Sequence, residues 1–293
     1  MTRDDTGLTF LAKKSSTCPV CETRFYREEL RTGRGRTIAG EMTDELRRNY
    51  EPSQKYGEVY PLVYAVIVCP QCFYAAYGRD FSDADKGVLQ RIEAETDRRK
   101  RSVSELFRDL NFSEFRRLEE GVASYFLATA CYDQFSFEFS PAFKQGLSCL
   151  RAAWLCNDLH RKQPDEHYDY LALVFYRKAR FFYVLAVDRE QNGKEELGAG
   201  VNLGPDLDKN FGYDGVLYLS GLLEYRYGPR SDPERRAEAL ERARRTIAKI
   251  FGMGKASRNK PAAILDNARD VYRLISAELG REPSDPESYD GGA

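Results

Sequence analysis

Two short turns, Cys18-Pro19-Val20-Cys21 and Cys69-Pro70-Gln71-Cys72, hold four of the chain's seven cysteines. A Cys-x-x-Cys turn aims two thiolates at one centre. Two such turns complete a tetrahedral shell with metal–sulfur distances of about 2.3 Å, the coordination of structural zinc. A hydrolytic zinc keeps one position open and usually takes His or carboxylate ligands, whereas four thiolates close the shell. The expectation is therefore one structural Zn2+ held by Cys18, Cys21, Cys69 and Cys72. The 47 residues between Cys21 and Cys69 exceed the spacing of a compact finger and predict an inserted loop or hairpin. A thiol–disulfide role fits less well. Two turns converging on one centre make a poor redox pair, and the first lacks the preceding strand of a thioredoxin-like unit.

Other candidates for chemistry are sparse. Cys131, Cys149 and Cys156 lie among apolar residues without ligand spacing and read as small buried side chains; Trp154 reads as core. The two histidines, His160 and His167, flank Lys162-Gln163-Pro164 and read as solvated loop residues, with no partner thiol or carboxylate implied. So few histidines remove most acid–base designs that work near neutral pH. Gly-x-Ser-x-Gly, His-Glu-x-x-His, Walker and Gly-x-Gly-x-x-Gly elements are missing from the sequence. The expectation is a protein that is not an enzyme.

The elements that must position the cysteines change character along the chain. Short β-prone pieces, Arg24 to Tyr26 and Arg36 to Ala39, are separated by polar, Gly-containing turns. The run Tyr60-Pro61-Leu62-Val63-Tyr64-Ala65-Val66-Ile67-Val68 predicts a buried strand leading straight into Cys69. Phe25, Tyr74 and Tyr77 would then form an apolar cover that limits water access to the metal.

Helical signals begin at Ser82, whose spacing to Asp85 matches a capping box, and a charged helix is predicted to run to about Arg101. Further helices are predicted over Ser113 to Tyr132, from Ser140-Pro141, over Asp165 to Arg189, over Asp214 to Tyr227, from Asp232-Pro233 to Phe251, and from Pro261 to Gly280. The fold class expected is mainly α: a small N-terminal β-rich zinc-knuckle module (residues 1–81), then an antiparallel helical array resembling tetratricopeptide repeats (residues 82–280), then a polar, disordered tail (residues 281–293). Tyr218 and Tyr225, followed by Ala237, Ala239 and Ala243, form the best repeat-like fragment.

Composition bounds the partners. The chain has 293 residues, enough for a buried core, and its 42% hydrophobic and 31% charged content is that of a globular protein. No stretch approaches the ~20 apolar residues of a membrane span, and Met1 to Gly7 lack the apolar core of a secretory signal. A cytoplasmic location follows, where metal thiolates are favoured over disulfides. The net charge of −1 argues against a general polyanion binder.

Local basic segments remain. Arg24, Arg27, Arg31, Arg34 and Arg36 beside Tyr26 could contact nucleic acid, diluted by Glu28 and Glu29. Arg98-Arg99-Lys100-Arg101 reads as the cationic C-terminus of a helix, offsetting its dipole. Tyr176, Arg177, Arg180, Tyr183, Tyr218, Tyr225 and Tyr227 are residue types that could line a peptide-binding concave face.

The N-terminal motifs resemble the bacterial family of domain of unknown function 2225. The resemblance is carried by Leu11-Ala12-Lys13-Lys14 leading to Cys18-Pro19-Val20-Cys21, by Phe25, and by Tyr64 to Val68 running into Cys69-Pro70-Gln71-Cys72. Tyr74-Ala75-Ala76 and Asp80-Phe81 extend it. It implies a zinc knuckle followed by repeat-like helices, with the four cysteines as metal ligands, and it implies no activity. Phe73 stands where the family tends to have Gly, which places the local turn geometry in question. The function expected is a zinc-binding scaffold or adaptor with an unidentified protein partner; the alternative is nucleic-acid recognition by the basic knuckle module.

Overall fold

Proline, β-branched residues and short polar turns keep the N-terminal third in brief hairpins, and long apolar-periodic segments form the helices of the remainder. The computed structural model of the chain describes residues 7–197, 203–251 and 262–281. Four antiparallel strand pairs come first. β1 (Thr9–Leu11) pairs with β4 (Glu28–Leu30), and between them β2 (Ser16–Thr17) pairs with β3 (Arg24–Phe25). A hairpin of β5 (Ile38–Met42) and β6 (Arg48–Glu51) is next, then one of β7 (Val66–Val68) and β8 (Ala75–Tyr77). The rest is helical: α1 (Asp80–Asp83), α2 (Lys86–Ala94), α3 (Thr96–Leu106), α4 (Leu118–Tyr132), α5 (Pro141–Lys162), α6 (Tyr168–Gln191), α7 (Gly212–Tyr227), α8 (Pro233–Ala248) and α9 (Ala262–Glu278).

From α4 to α9 each helix packs on the next. Side-chain contacts give their sense. Gly121 of α4 lies against Leu155 of α5 while Thr129 meets Gln145 and Cys149; Gly146 of α5 lies against Tyr183 of α6 while Asn157 meets Tyr176. Both pairs are antiparallel. Glycine permits the approach at these crossings: a Cβ on Gly146 would fall 2.9 Å from the Tyr183 ring, and one on Gly121 2.9 Å from Val63.

One hydrophobic cluster runs from Cys18 through the helices to Ile275, so the packing crosses the change from strands to helices near residue 81. The tip of the β5–β6 hairpin makes that junction. Buried Glu45 accepts hydrogen bonds from Trp154 Nε1 of α5 at 2.5 Å, Tyr176 Oη of α6 at 2.9 Å and Arg226 Nη1 of α7 at 3.0 Å. Beside it Arg47 donates to the Trp154 carbonyl at 3.2 Å and pairs with fully buried Asp158. A carboxylate withdrawn from water needs this number of donors.

Several element boundaries differ from the sequence reading, each for a physical reason. Pro61, Leu62, Val63, Val66 and Val68 of the run from Tyr60 to Val68 are buried and the rest half-buried, but Pro61–Tyr64 form a 3-10 turn and only Val66–Val68 form a strand. Its carbonyls are taken by side chains: Arg116 donates to Val63 O and Val66 O, and Tyr125 to Leu62 O. Ser82 lies inside α1; the cap of the following helix is Asp85, whose carboxylate accepts from Val88 N at 2.9 Å. The helix expected from Ser113 starts at Leu118, because the Arg116 amide is bound to Glu28 at 2.6 Å and Glu120 receives the Arg117 amide at the N-cap. The basic run Arg98 to Arg101 is not a helix C-terminus. The helix breaks at Glu95, and the run falls in the first half of α3. His160 belongs to the last turn of α5 and not to the loop. Pro261 and the tail expected to be disordered, apart from Arg281, lie outside the described residues.

Glu45 generates a direct prediction. Glu45→Ala leaves the Trp154, Tyr176 and Arg226 donors without their shared acceptor, and it should lower unfolding free energy by about 3 kcal/mol. Urea denaturation followed by Trp154 fluorescence measures this; a change below about 0.5 kcal/mol, the size of an ordinary surface substitution, would contradict the role.

Candidate metal centre

Each cysteine pair sits at the tip of a hairpin, and the two tips are built alike. β2 and β3 bracket the first turn, with Ser16 opposite Phe25 and Thr17 opposite Arg24; β7 and β8 bracket the second, with Val66 opposite Tyr77 and Val68 opposite Ala75. In the first turn the Glu22 amide donates to Cys18 O at 2.9 Å and the Cys18 amide to Thr23 O at 2.9 Å. The second repeats this, with the Phe73 amide on Cys69 O at 3.0 Å and the Cys69 amide on Tyr74 O at 2.9 Å. The residue after each second cysteine is left-handed, Glu22 at φ 59° and Phe73 at φ 57°. Phe73 therefore occupies a position that favours glycine, held there by edge-on contact with Phe112 at 5.4 Å and by Lys100 over its ring.

The turns converge. The Sγ atoms of Cys18, Cys21, Cys69 and Cys72 all lie within 4.8 Å of one another, with Cys18–Cys72 and Cys21–Cys69 both at 3.6 Å. Metal–sulfur bonds of about 2.3 Å give a tetrahedron with edges of about 3.8 Å. The observed pairs match that spacing and are far from the ~2.05 Å of a disulfide. Cys18, Cys69 and Cys72 are buried and Cys21 is half-buried beside Thr23 Oγ1, to which its thiol donates at 3.3 Å. The donor set is all sulfur, closed and shielded, and it fits a thiophilic cation. Cys131, Cys149 and Cys156 are buried elsewhere in the core, and His160 and His167 do not approach the cluster.

The electrostatics show why a cation is wanted. Hydrogen bonds from Cys18 and then Cys72 hold the Cys69 thiol far below its usual range, whereas the contact with Cys69 pushes Cys18 up to about 12. Cys72 is pushed up too, first by Cys18. Sulfurs at this spacing cannot all ionise together unless a positive charge replaces the shared protons. Metal uptake at such a cluster would therefore release protons, and its affinity would fall as the pH is lowered.

A surrounding layer holds the hairpin tips in place. Phe81 stacks on Tyr74 at 4.7 Å and meets buried Phe25 edge-on at 6.0 Å, forming the apolar cover. Tyr77 contributes elsewhere, bonding Ser148 of α5 through its hydroxyl. The residues that sequence reasoning missed are Arg99 and Lys100. Buried Arg99 donates to Cys72 O at 2.8 Å, to Phe73 O at 3.2 Å and to Ile92 O at 2.8 Å, so one guanidinium grips the second cysteine turn and the end of α2. Lys100 Nζ donates to Gln71 O at 2.8 Å. The signal was the helix break before Thr96, which places this basic run over the knuckle.

The model of a family described as "Uncharacterized protein conserved in bacteria (DUF2225)" matches residues 11–275 and thus takes in both cysteine turns and the helices. An uncharacterized protein of Borreliella burgdorferi is 40% identical over 272 residues, covering 93% of this chain and 98% of its own length. No solved structure matches.

Three substitutions probe the centre. Glu22→Gly relieves a left-handed, exposed non-glycine residue and should raise stability by about 0.5–1 kcal/mol in urea denaturation, while Phe73→Gly, which also deletes the ring contacts, should lower it. A loss on Glu22→Gly would contradict the assigned backbone role. Cys69→Ser should abolish stoichiometric metal in elemental analysis and raise hydrogen exchange in β2, β3, β7 and β8 while α5 to α7 stay protected. Retained stoichiometric metal would contradict a centre that requires all four sulfurs.

Proposed function

The chain belongs to the bacterial DUF2225 family, and we propose that it works as a zinc-stabilised scaffold or adaptor in the cytoplasm, with the helical array as its protein-binding part. Zinc suits the centre because it accepts four thiolates in tetrahedral geometry without redox chemistry. A closed shell leaves no position for substrate, and the sequence lacks common catalytic constellations, so the proposal includes no autonomous catalysis. No helix among the described residues is long and apolar enough to cross a membrane.

The observation that carries the proposal is the outward face of α6. Tyr170, Arg177, Phe181 and Val184 fall on one stripe at helical spacing, and Tyr170 and Phe181 are 68% and 55% exposed. Large exposed aromatics flanking an arginine are the residue types of binding hot spots. The tyrosines suggested by sequence for a concave face differ: Tyr176, Tyr183 and Tyr218 are buried between helices, and Tyr176 stacks on Tyr227 at 4.3 Å. The helix pairs from α4 onward support a tetratricopeptide-like stacking only in outline, without a strict repeat.

Nucleic-acid recognition is the second reading. Lys13, Lys14, Arg24 and Tyr26 are exposed near the knuckle and favour it. Against it, Arg27 pairs with Glu29, Arg31 binds Thr9 O and Arg36 binds Gly7 O, so three of the five arginines already serve local structure. The deciding experiment is a pull-down from native lysate with and without nuclease, comparing wild type with Tyr170→Ser/Phe181→Ser. The expected outcome is a nuclease-resistant protein that the double variant recovers at least tenfold less well, about 1.4 kcal/mol of affinity. Recovery of nucleic acid alone, lost on raising salt and on Arg24→Glu, would contradict the adaptor reading.

A further inference from the structure

α6, α7 and α8 line an open groove. Its apolar lining is small: Val184 and Val187 of α6 and Ala239 and Ala243 of α8. Arg180 and Glu224 face it as a neutralised pair at 2.8 Å, and Asp188 lies on the α6 wall. The α8 wall is cationic. Arg242, Arg245 and Lys249 are all exposed; Arg242 reaches Glu238 only at 3.8 Å, Arg245 reaches Glu241 at 3.4 Å, and no ion pair is found for Lys249 among the described residues.

The polypeptide leaves the described residues beside this wall. Arg281, the final described residue, pairs with Glu241 of α8 at 3.0 Å, and Glu241 also pairs with Arg245. Beyond Arg281 the sequence reads Glu282-Pro283-Ser284-Asp285-Pro286-Glu287-Ser288-Tyr289-Asp290-Gly291-Gly292-Ala293, with four acidic side chains and no lysine or arginine. Crossing a helix means spanning its diameter of about 10–12 Å. Seven residues reach about 23 Å at ~3.3 Å each, so the chain from Glu282 to Ser288 can deliver Tyr289 across α8 with length to spare.

We propose that the acidic segment 282–293 is an in-built occupant of the α6–α8 groove: Glu287 and Asp290 meet Arg242, Arg245 and Lys249, and Tyr289 covers the Val184, Ala239 and Ala243 floor. Charge complementarity selects this occupant, and the anchor at Arg281 raises its effective concentration to the millimolar range, so weak contacts suffice. The segment then competes in cis with any acidic partner sequence for this surface. The inference goes beyond the adaptor reading and does not depend on it.

The test uses the full chain. Carbodiimide coupling joins carboxylates to lysines in contact, and peptide mass spectrometry reads the pairs. The expected result is intramolecular coupling of Glu287 or Asp290 to Lys249, in excess of coupling to Lys13 and Lys86, which do not line the groove. Its yield should fall at least about fivefold on going from about 50 mM to about 500 mM salt, because exposed charges are screened. Arg242→Glu/Arg245→Glu, two exposed positions that leave Lys249 available, should lower it similarly with unchanged circular dichroism. Coupling that is absent, spread evenly over the lysines, or indifferent to the double charge reversal would overturn the proposal. Mixing isotope-labelled with unlabelled protein separates the remaining outcome: coupling between copies would place the segment in the groove of a second molecule and overturn the arrangement in cis.

Discussion

Four sulfurs gathered within 4.8 Å are the constraint on which the N-terminal third depends. Its strands are two to five residues long and pair only in twos, too little sheet to stand alone in water. Convergence of the cysteine turns ties residue 21 to residue 69 and so closes a 47-residue segment, including the β5–β6 hairpin, against the helical core. A cation bound by four thiolates would supply that closure with a free energy that becomes folding free energy, because no comparable site exists in the unfolded chain. Four thiolates would leave no ligand position open on such a cation, which suits a building element.

From that point outward the structure is held by charges withdrawn from solvent and fully engaged. Arg99 links the second cysteine turn to α2; Arg116 occupies the carbonyls of the segment leading into that turn; Glu45 joins the inserted hairpin to α5, α6 and α7. Each bridges segments distant in sequence, and each would be costly to leave unpaired. Such contacts favour one docking of hairpins on helices over the alternatives that apolar packing alone would tolerate. The surface left over is simpler. Its most conspicuous features are the exposed Tyr170 and Phe181 on α6 and the cationic edge of α8.

Local patterns were legible in the sequence and long-range partners were not. Cysteine spacing announces its chemistry within four residues, and the hairpins form around both turns as that spacing requires. The helices from Ser140-Pro141 and Asp232-Pro233 are likewise marked by local signals, and α5 and α8 begin there. The Tyr60 to Val68 run reads as a strand because its residues are β-prone, yet its backbone is satisfied by Arg116 and Tyr125, 50 and 63 residues from the carbonyls they bind at Val66 and Leu62. Arg98 to Arg101 shows the same limit: composition identifies the charges, while the carbonyls of the cysteine turn that Arg99 and Lys100 bind lie 26 to 29 residues earlier. Tyrosines give the weakest signal, since Tyr170 faces solvent and Tyr176 lies in the core on the same helix.

X-ray absorption at the edge of the metal in the purified, metal-complete protein tests the central claim most directly. The account predicts one zinc per chain in a shell of four sulfurs at about 2.3 Å, with no lighter scatterer. A first shell containing nitrogen or oxygen, or a protein without stoichiometric metal, would contradict it.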